Sequence, residues 1–212
     1  MKKIKVMRIL KWFFVLTMVL SICSGFAVAG KGYSMYRNAL DQMSLADKVE
    51  SIQNKEHYTT FEELPEVYVN AVVSVEDHRF YRHSGIDLIA IGRSVFNDIR
   101  AGRFVEGGST ITQQLIKNSV FGGGMEKSFG ERLERKMQEW YLAVKLDSAM
   151  SKEQIITNYL NTINLGKNSL GVKVAARRYF NKEVSDLTLS ECAVLAGITQ
   201  NPSKFNPVTG QK

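Results

Sequence analysis

The chain has 212 residues, 44% of them hydrophobic and 23% charged. That balance suits one globular domain with its own core and excludes a disordered polar chain. The formal net charge of +7 invites a nucleic-acid reading. Its distribution argues against one: Lys2, Lys3, Lys5, Arg8 and Lys11 sit in the first 11 residues with no acid among them, and setting them aside leaves 23 basic against 21 acidic residues. No nucleic-acid partner is expected.

The basic tail, residues 1–11, precedes an uncharged apolar run from Trp12 to Ala29. As an α-helix of about 1.5 Å rise per residue, a run of this length matches the hydrocarbon thickness of a bilayer. The preceding lysines and arginine predict a cytoplasmic N-terminus and an exported remainder. Ala27-Val28-Ala29 has the form of a signal-peptidase site, but the run exceeds the usual length of a cleaved signal core, so an uncleaved anchor over 12–29 is the reading. Cys23 falls inside that anchor and Cys192 far along the exported part, so no disulfide is predicted.

Residues 30–60 are polar and read as a stalk or loosely packed lead-in, followed by a compact domain over 61–208 and a short tail at 209–212. PEVYVNAVVSVE (65–76) alternates well enough for a strand. It also works as a helix with Pro65 in its first turn, in which Val69, Val72, Val73 and Glu76 share one face and Asp77 turns away. The pattern leaves both open. Further on, Leu133, Met137, Trp140, Tyr141 and Val144 form an apolar stripe at helical spacing. Ser151 to Gln154 and Thr188 to Glu191 are capping boxes, each opening an apolar helix. Strand signals are few, which predicts a mainly α-helical domain.

Three features could carry chemistry. Glu76, at the end of an apolar face, is partly desolvated, which disfavours its charged form and suits a general base or acid. Without more, an acid paired with Arg79 or Arg82 is the better explanation. Gly107-Gly108-Ser109-Thr110 opens a helix, where free N–H groups favour an anion such as a phosphate. Thr110, Gln113 or Gln114, and Lys117 follow on one face. Arg135 and Glu139, with Arg132 beside them, lie opposite the apolar stripe of their helix; two carboxylates bracketing a sugar bond, Glu76 and Glu139, are the usual equipment of glycosyl chemistry. His83 has no partner spacing for a metal site, and neither a GxSxG elbow nor an SxxK motif occurs.

Five ordered segments carry a resemblance: EDHRFYRHSG (76–85), GGSTITQQLIKN (107–118), RKMQE (135–139), IITNYLNTINLG (155–166) and LSECAVLAGITQNPSKFNP (189–207). Together they resemble the glycosyltransferase family 51 domain of class A penicillin-binding proteins and monofunctional peptidoglycan glycosyltransferases, over roughly residues 60–208. The resemblance implies a lysozyme-like helical lobe plus a small, hydrophobic, membrane-proximal jaw, to which Leu88, Ile89, Ile91, Val95, Phe96 and Ile99 would contribute. It implies polymerisation of lipid II into β-1,4 glycan with inversion and release of undecaprenyl pyrophosphate, at the outer face of a bacterial cytoplasmic membrane. Glu76 would be the general base and Glu139 the second acid. Ser109, Thr110, Gln113, Gln114, Lys117, Arg135 and Lys136 would meet the pyrophosphate. Lys127 and Arg132 compete for a further cationic position in the segment SVFGGGMEKSFGERLE, whose triple glycine predicts a mobile flap. Asp77, Phe80, His83 and Gly85 would support the first segment, and Tyr159 and Asn161 the cleft. The family implies a divalent cation, Mg2+ or Mn2+, as the one cofactor to consider, and no organic cofactor. Lipid II, the growing glycan, the membrane and other wall-synthesis proteins are the implied partners. A glycan-cleaving lytic transglycosylase or muramidase and a non-catalytic membrane-tethered scaffold are the alternatives.

Overall fold

The computed structural model describes residues 2–42, 44–103, 107–124, 128–202 and 204–206. Among them the chain is mainly helical. The helices are α1 (Lys2–Gln42), α2 (Leu45–Gln53), α3 (Glu66–Glu76), α4 (Leu88–Ala101), α5 (Ile111–Ser119), α6 (Phe129–Ala149), α7 (Lys152–Thr162), α8 (Val172–Phe180) and α9 (Leu189–Gln200). Extended backbone pairs at a single bridge, Asn164 with Leu170, among the described residues.

Local chemistry starts most of these helices. Ser151 and Thr188 cap α7 and α9 with the reciprocal bonds from Gln154 and Glu191 that their spacing predicts. Thr110 with Gln113 and Ser128 with Glu131 do the same for α5 and α6. The core forms where α3 packs on α9 and where α5 packs against α6 and α7. Val69, Val72 and Val73 from α3 are buried there with Ile155, Ile156, Tyr159 and Leu160 from α7 and Leu195 and Ile198 from α9.

Residues 66–76 are therefore helical, and burial of the valine face against α9 decides between the two periodicities. Asp77 does not turn away as helical spacing predicts. It leaves the helix as its C-cap with φ −158°, which swings the carboxylate inward to 7% exposure. The lead-in is also more ordered than its polarity suggests. Helix α1 runs on to Gln42, and α2 packs on α7 through the buried Ile52. Thr59 is locked by Asn161, whose amide donates to the Thr59 carbonyl and whose Oδ1 accepts from the Thr59 N–H, both at 2.8 Å.

The stripe predicted on α6 has a different destination from the core. Leu133 and Val144 are exposed, while Met137 and Tyr141 meet α1. Gly32 brings the α1 backbone against Met137, Tyr33 stacks edge-on to Tyr141 at 5.6 Å, and Lys31 pairs with Glu134. The domain core instead takes Leu142, Ala143 and Leu146, and with them the polar Gln138 and Glu139. The apolar segment of α1 spans Lys11–Ser34, with mean hydropathy 2.1, and is long and apolar enough to cross a membrane.

Helix α4 is inside out. Leu88, Ile89, Val95, Phe96 and Ile99 face outward, whereas Ser94 is buried. Asp87 caps it through the amides of Ile89 and Ala90 and pairs with Arg79 at 2.8 Å. Burial pushes the Asp87 carboxyl up, but those amides and the guanidinium outweigh it and hold the group below its ordinary value.

Gly85 joins the loop before α4 to α6. Its φ is +85°, and a Cβ there would lie 2.4 Å from the Ala143 carbonyl oxygen. Gly85→Ala combines left-handed strain with a backbone collision and is expected to cost at least about 2 kcal/mol, read as a lower midpoint in thermal unfolding. An unchanged midpoint would show that the loop and α6 can separate freely.

Candidate active site

Glu76 ends α3 half-buried, with both carboxylate oxygens engaged. Gln114 of α5 donates through Nε2 to Oε2 at 2.7 Å, and Thr199 of α9 donates through its hydroxyl to Oε1 at 2.5 Å. Neither predicted arginine takes it: Arg79 is committed to Asp87. The Gln114 amide is itself oriented, because the buried Tyr159 hydroxyl donates to its Oε1 at 3.2 Å. Burial, with the charges of Glu76, Tyr68 and Asp77 nearby, pushes the Tyr159 phenol well above its ordinary value, so it stays a donor at neutral pH.

Gln114 also lines a cavity of about 410 Å³ with Ser109, Gln113, Lys117, Arg132, Leu133, Arg135, Lys136 and Glu139. The cationic wall is organised by Glu139, which has no exposed surface. Arg135 and Lys136 converge on its two oxygens, Lys136 at 2.9 Å, and the Lys136 ammonium also donates to the Ser109 hydroxyl at 2.7 Å. One buried carboxylate thus fixes two cations at the rim, and Lys117 and Arg132 add two more around the same space.

The start of α5 is not an open anion site. The Asp77 carboxylate accepts from the Ile111 N–H at 3.0 Å and from His83 Nε2 at 2.9 Å, so an internal anion already sits on the helix N-terminus. Thr110 is buried and turned away from the cavity, its hydroxyl donating to the Gly85 carbonyl at 2.6 Å. Gln113 is almost fully buried, with its Oε1 accepting from the Thr110 N–H. Its Nε2 at the cavity wall has no hydrogen-bond partner among the described residues. Phe80 is buried beneath the Lys152 ammonium, 4.7 Å from its ring centroid, and Lys152 donates to the His83 carbonyl. Asp77, Phe80, His83 and Gly85 thus brace the first segment from behind. Asn161 clamps the lead-in at Thr59, whereas Tyr159 supports the cleft directly.

Gly122, Gly123 and Gly124 all have positive φ and form a turn closed by Gly123 N–H donating to the Lys117 carbonyl. The α-carbon of Gly124 faces the Arg135 guanidinium so closely that a Cβ would lie 3.0 Å from its Cζ. Lys127, the other predicted cation of this segment, lies outside the described residues; Arg132 is on the cavity wall. Among the described residues no three His, Cys, Asp or Glu side chains cluster, and both Glu139 oxygens are committed to cationic partners.

Sequence comparison relates the chain to known proteins. The transglycosylase family profile covers residues 42–212. The chain belongs to the transglycosylase family. The match starts upstream of the packed helix α2. This transglycosylase domain is 45% identical over 163 residues to penicillin-binding protein 1A of Clostridium acetobutylicum, covering 74% of the chain and 20% of that protein. To penicillin-binding protein 1A of Clostridium perfringens it is 39% identical over 225 residues, covering 95% of the chain and 32% of the relative. The relative of the same name in Aquifex aeolicus is 44% identical over 153 residues, covering 72% of the chain and 20% of the relative. The chain thus spans a fifth to a third of the length of these relatives.

Sequence reasoning did not single out Thr199. A signal was present: Cys192, Leu195, Ala196 and Thr199 repeat the spacing of Val69, Val72, Val73 and Glu76. Each is a buried helical stripe ending in a polar residue, the anomaly worth noticing in a core face.

Proposed function

We propose that this transglycosylase domain is a peptidoglycan glycosyltransferase that polymerises lipid II at the outer face of the cytoplasmic membrane. The observation that carries the reading is the double role of Gln114. It binds the Glu76 carboxylate and lines the cationic cavity, so one side chain links the base to the space around which the positive charges gather. Beside that space, next to Gln114, Glu76 takes the proton from the 4-hydroxyl of the acceptor sugar. The oxygen attacks C1 of the donor from the face opposite its diphosphate. The new β-1,4 bond forms as the C1–O bond to undecaprenyl pyrophosphate breaks. Negative charge then grows on the leaving diphosphate, where Lys117, Arg132, Arg135 and Lys136 offset it. The Gln113 amide and the Ser109 hydroxyl supply neutral donors. Glu139 acts through Arg135 and Lys136 by holding them in place. The outward apolar face of α4 and the apolar span of α1 each suit contact with a bilayer, which is where the lipid tail of the substrate lies. Other wall-synthesis proteins are proposed as partners on the names of the relatives alone.

The test is incubation of the purified chain in detergent with lipid II, and in parallel with preformed glycan, each with and without a chelator. The expected result is consumption of lipid II into polymer, with no cleavage of preformed glycan. Cleavage of glycan with no consumption of lipid II would replace this reading with that of a lytic enzyme, and inactivity toward both would favour a scaffold.

A further inference from the structure

We propose that Thr199 is a positioning residue for the base, holding the Glu76 carboxylate while it is charged and releasing it as it is neutralised; this rests on the assignment of Glu76 above. The two stripes that end in Glu76 and Thr199 lie on helices packed against each other, α3 and α9. Their C-terminal ends are tied twice. The Thr199 hydroxyl reaches Glu76 Oε1 at 2.5 Å, and Gln200 Nε2 donates to the Val75 carbonyl at 3.3 Å.

The Thr199 hydroxyl has a second acceptor in reach, the Ala196 carbonyl of its own helix at 2.7 Å. A hydroxyl has one proton, so it satisfies one acceptor at a time. A charged carboxylate is the stronger acceptor, and while Glu76 is ionised the proton points at Oε1. Once Glu76 has taken the sugar proton, that advantage is gone, and the hydroxyl turns to Ala196 without leaving a buried donor unpaired. Only hydrogen positions change; no bond between heavy atoms is made or broken by Thr199.

The second carboxylate oxygen has no such freedom. Gln114 is pinned by Tyr159 with its amino group toward Oε2, so it donates in every state. Gln114 therefore sets where the carboxylate is, and Thr199 sets its rotation about the Cγ–Cδ bond. The rotation decides whether a lone pair faces the acceptor hydroxyl, and a misaligned base loses rate rather than affinity.

Thr199→Val keeps the shape and removes the hydroxyl; Thr199→Ser keeps the hydroxyl and removes the methyl. Both are assayed as the full chain in detergent with lipid II, beside Glu76→Gln. The Val variant is expected to lose roughly tenfold or more in kcat with KM unchanged. The Ser variant is expected to regain most of that loss. Retained kcat in the Val variant, or equal impairment in the Ser variant, overturns the inference while the base assignment stands. Should the Val variant fail to fold in thermal unfolding, Thr199→Ala takes its place with the same expectations. Full activity in Glu76→Gln would instead overturn the base assignment itself.

Discussion

Glu76→Gln is expected to lower lipid II polymerisation by roughly 10²- to 10⁴-fold, the range a positioned general base contributes. The substitution is informative because the surroundings can accommodate an amide. Gln114 would still donate to the oxygen of the new side chain. The new amino group would face the Thr199 hydroxyl, which can accept from it while donating to the Ala196 carbonyl. No buried polar group is stranded, so thermal unfolding should be nearly unchanged. What is lost is the ability to take a proton from the attacking hydroxyl. A Glu76→Gln protein that folds, binds lipid II and still polymerises it would remove Glu76 from the chemistry. A protein that fails to fold would instead show the carboxylate holding α3 to α9.

Much of the fold is legible in the sequence, and for local reasons. The capping boxes at Ser151 and Thr188 form as spaced because both partners lie within one turn. The α3 valines were ambiguous because valine suits strands and buried helix faces alike, and only packing against α9 separates the two. Where the reading missed, the cause was a partner distant in sequence. The α6 stripe looks like a core face, yet Met137 and Tyr141 serve α1, which lies some 100 residues upstream. Glu139 lies opposite the apolar stripe and its pairing with Arg135 and Lys136 follows from local spacing, but its full burial depends on α5, which packs against α6 from elsewhere in the chain. Asp77 was sent outward by helical phase, but it is no longer in the helix. Its rotation places an anion on the α5 N-terminus, filling the site that helix would otherwise have offered to an anionic ligand. The functional assignment itself came from the order of five motifs; no single one of them excluded an ordinary cap, ion pair or turn.

Glu139→Ala is the substitution expected to cost most in stability. The carboxylate is fully buried and both its oxygens are bonded to cations. Deleting it leaves Arg135 and Lys136 facing each other beside Lys117 and Arg132 with no anion among the residues that line the cavity. Breaking a buried pair from one side costs about 3–5 kcal/mol. Lys136 retains about a third of its side-chain exposure and can rehydrate, which argues for the lower end. For a domain of this size, about 3 kcal/mol is a fall of roughly 6–12 °C in Tm. Glu139→Gln keeps the volume and one acceptor, so it should recover much of the Tm. It should recover less of the activity, because a neutral amide holds Arg135 and Lys136 less firmly against the negative charge of a leaving diphosphate. Thermal unfolding and lipid II turnover measured on both variants separate the two roles open to this residue. Activity lost with Tm intact would mean that Glu139 meets the substrate itself. Activity and Tm falling together in Ala, with Tm alone returning in Gln, is the signature of a buried anion that works only through the cations it holds.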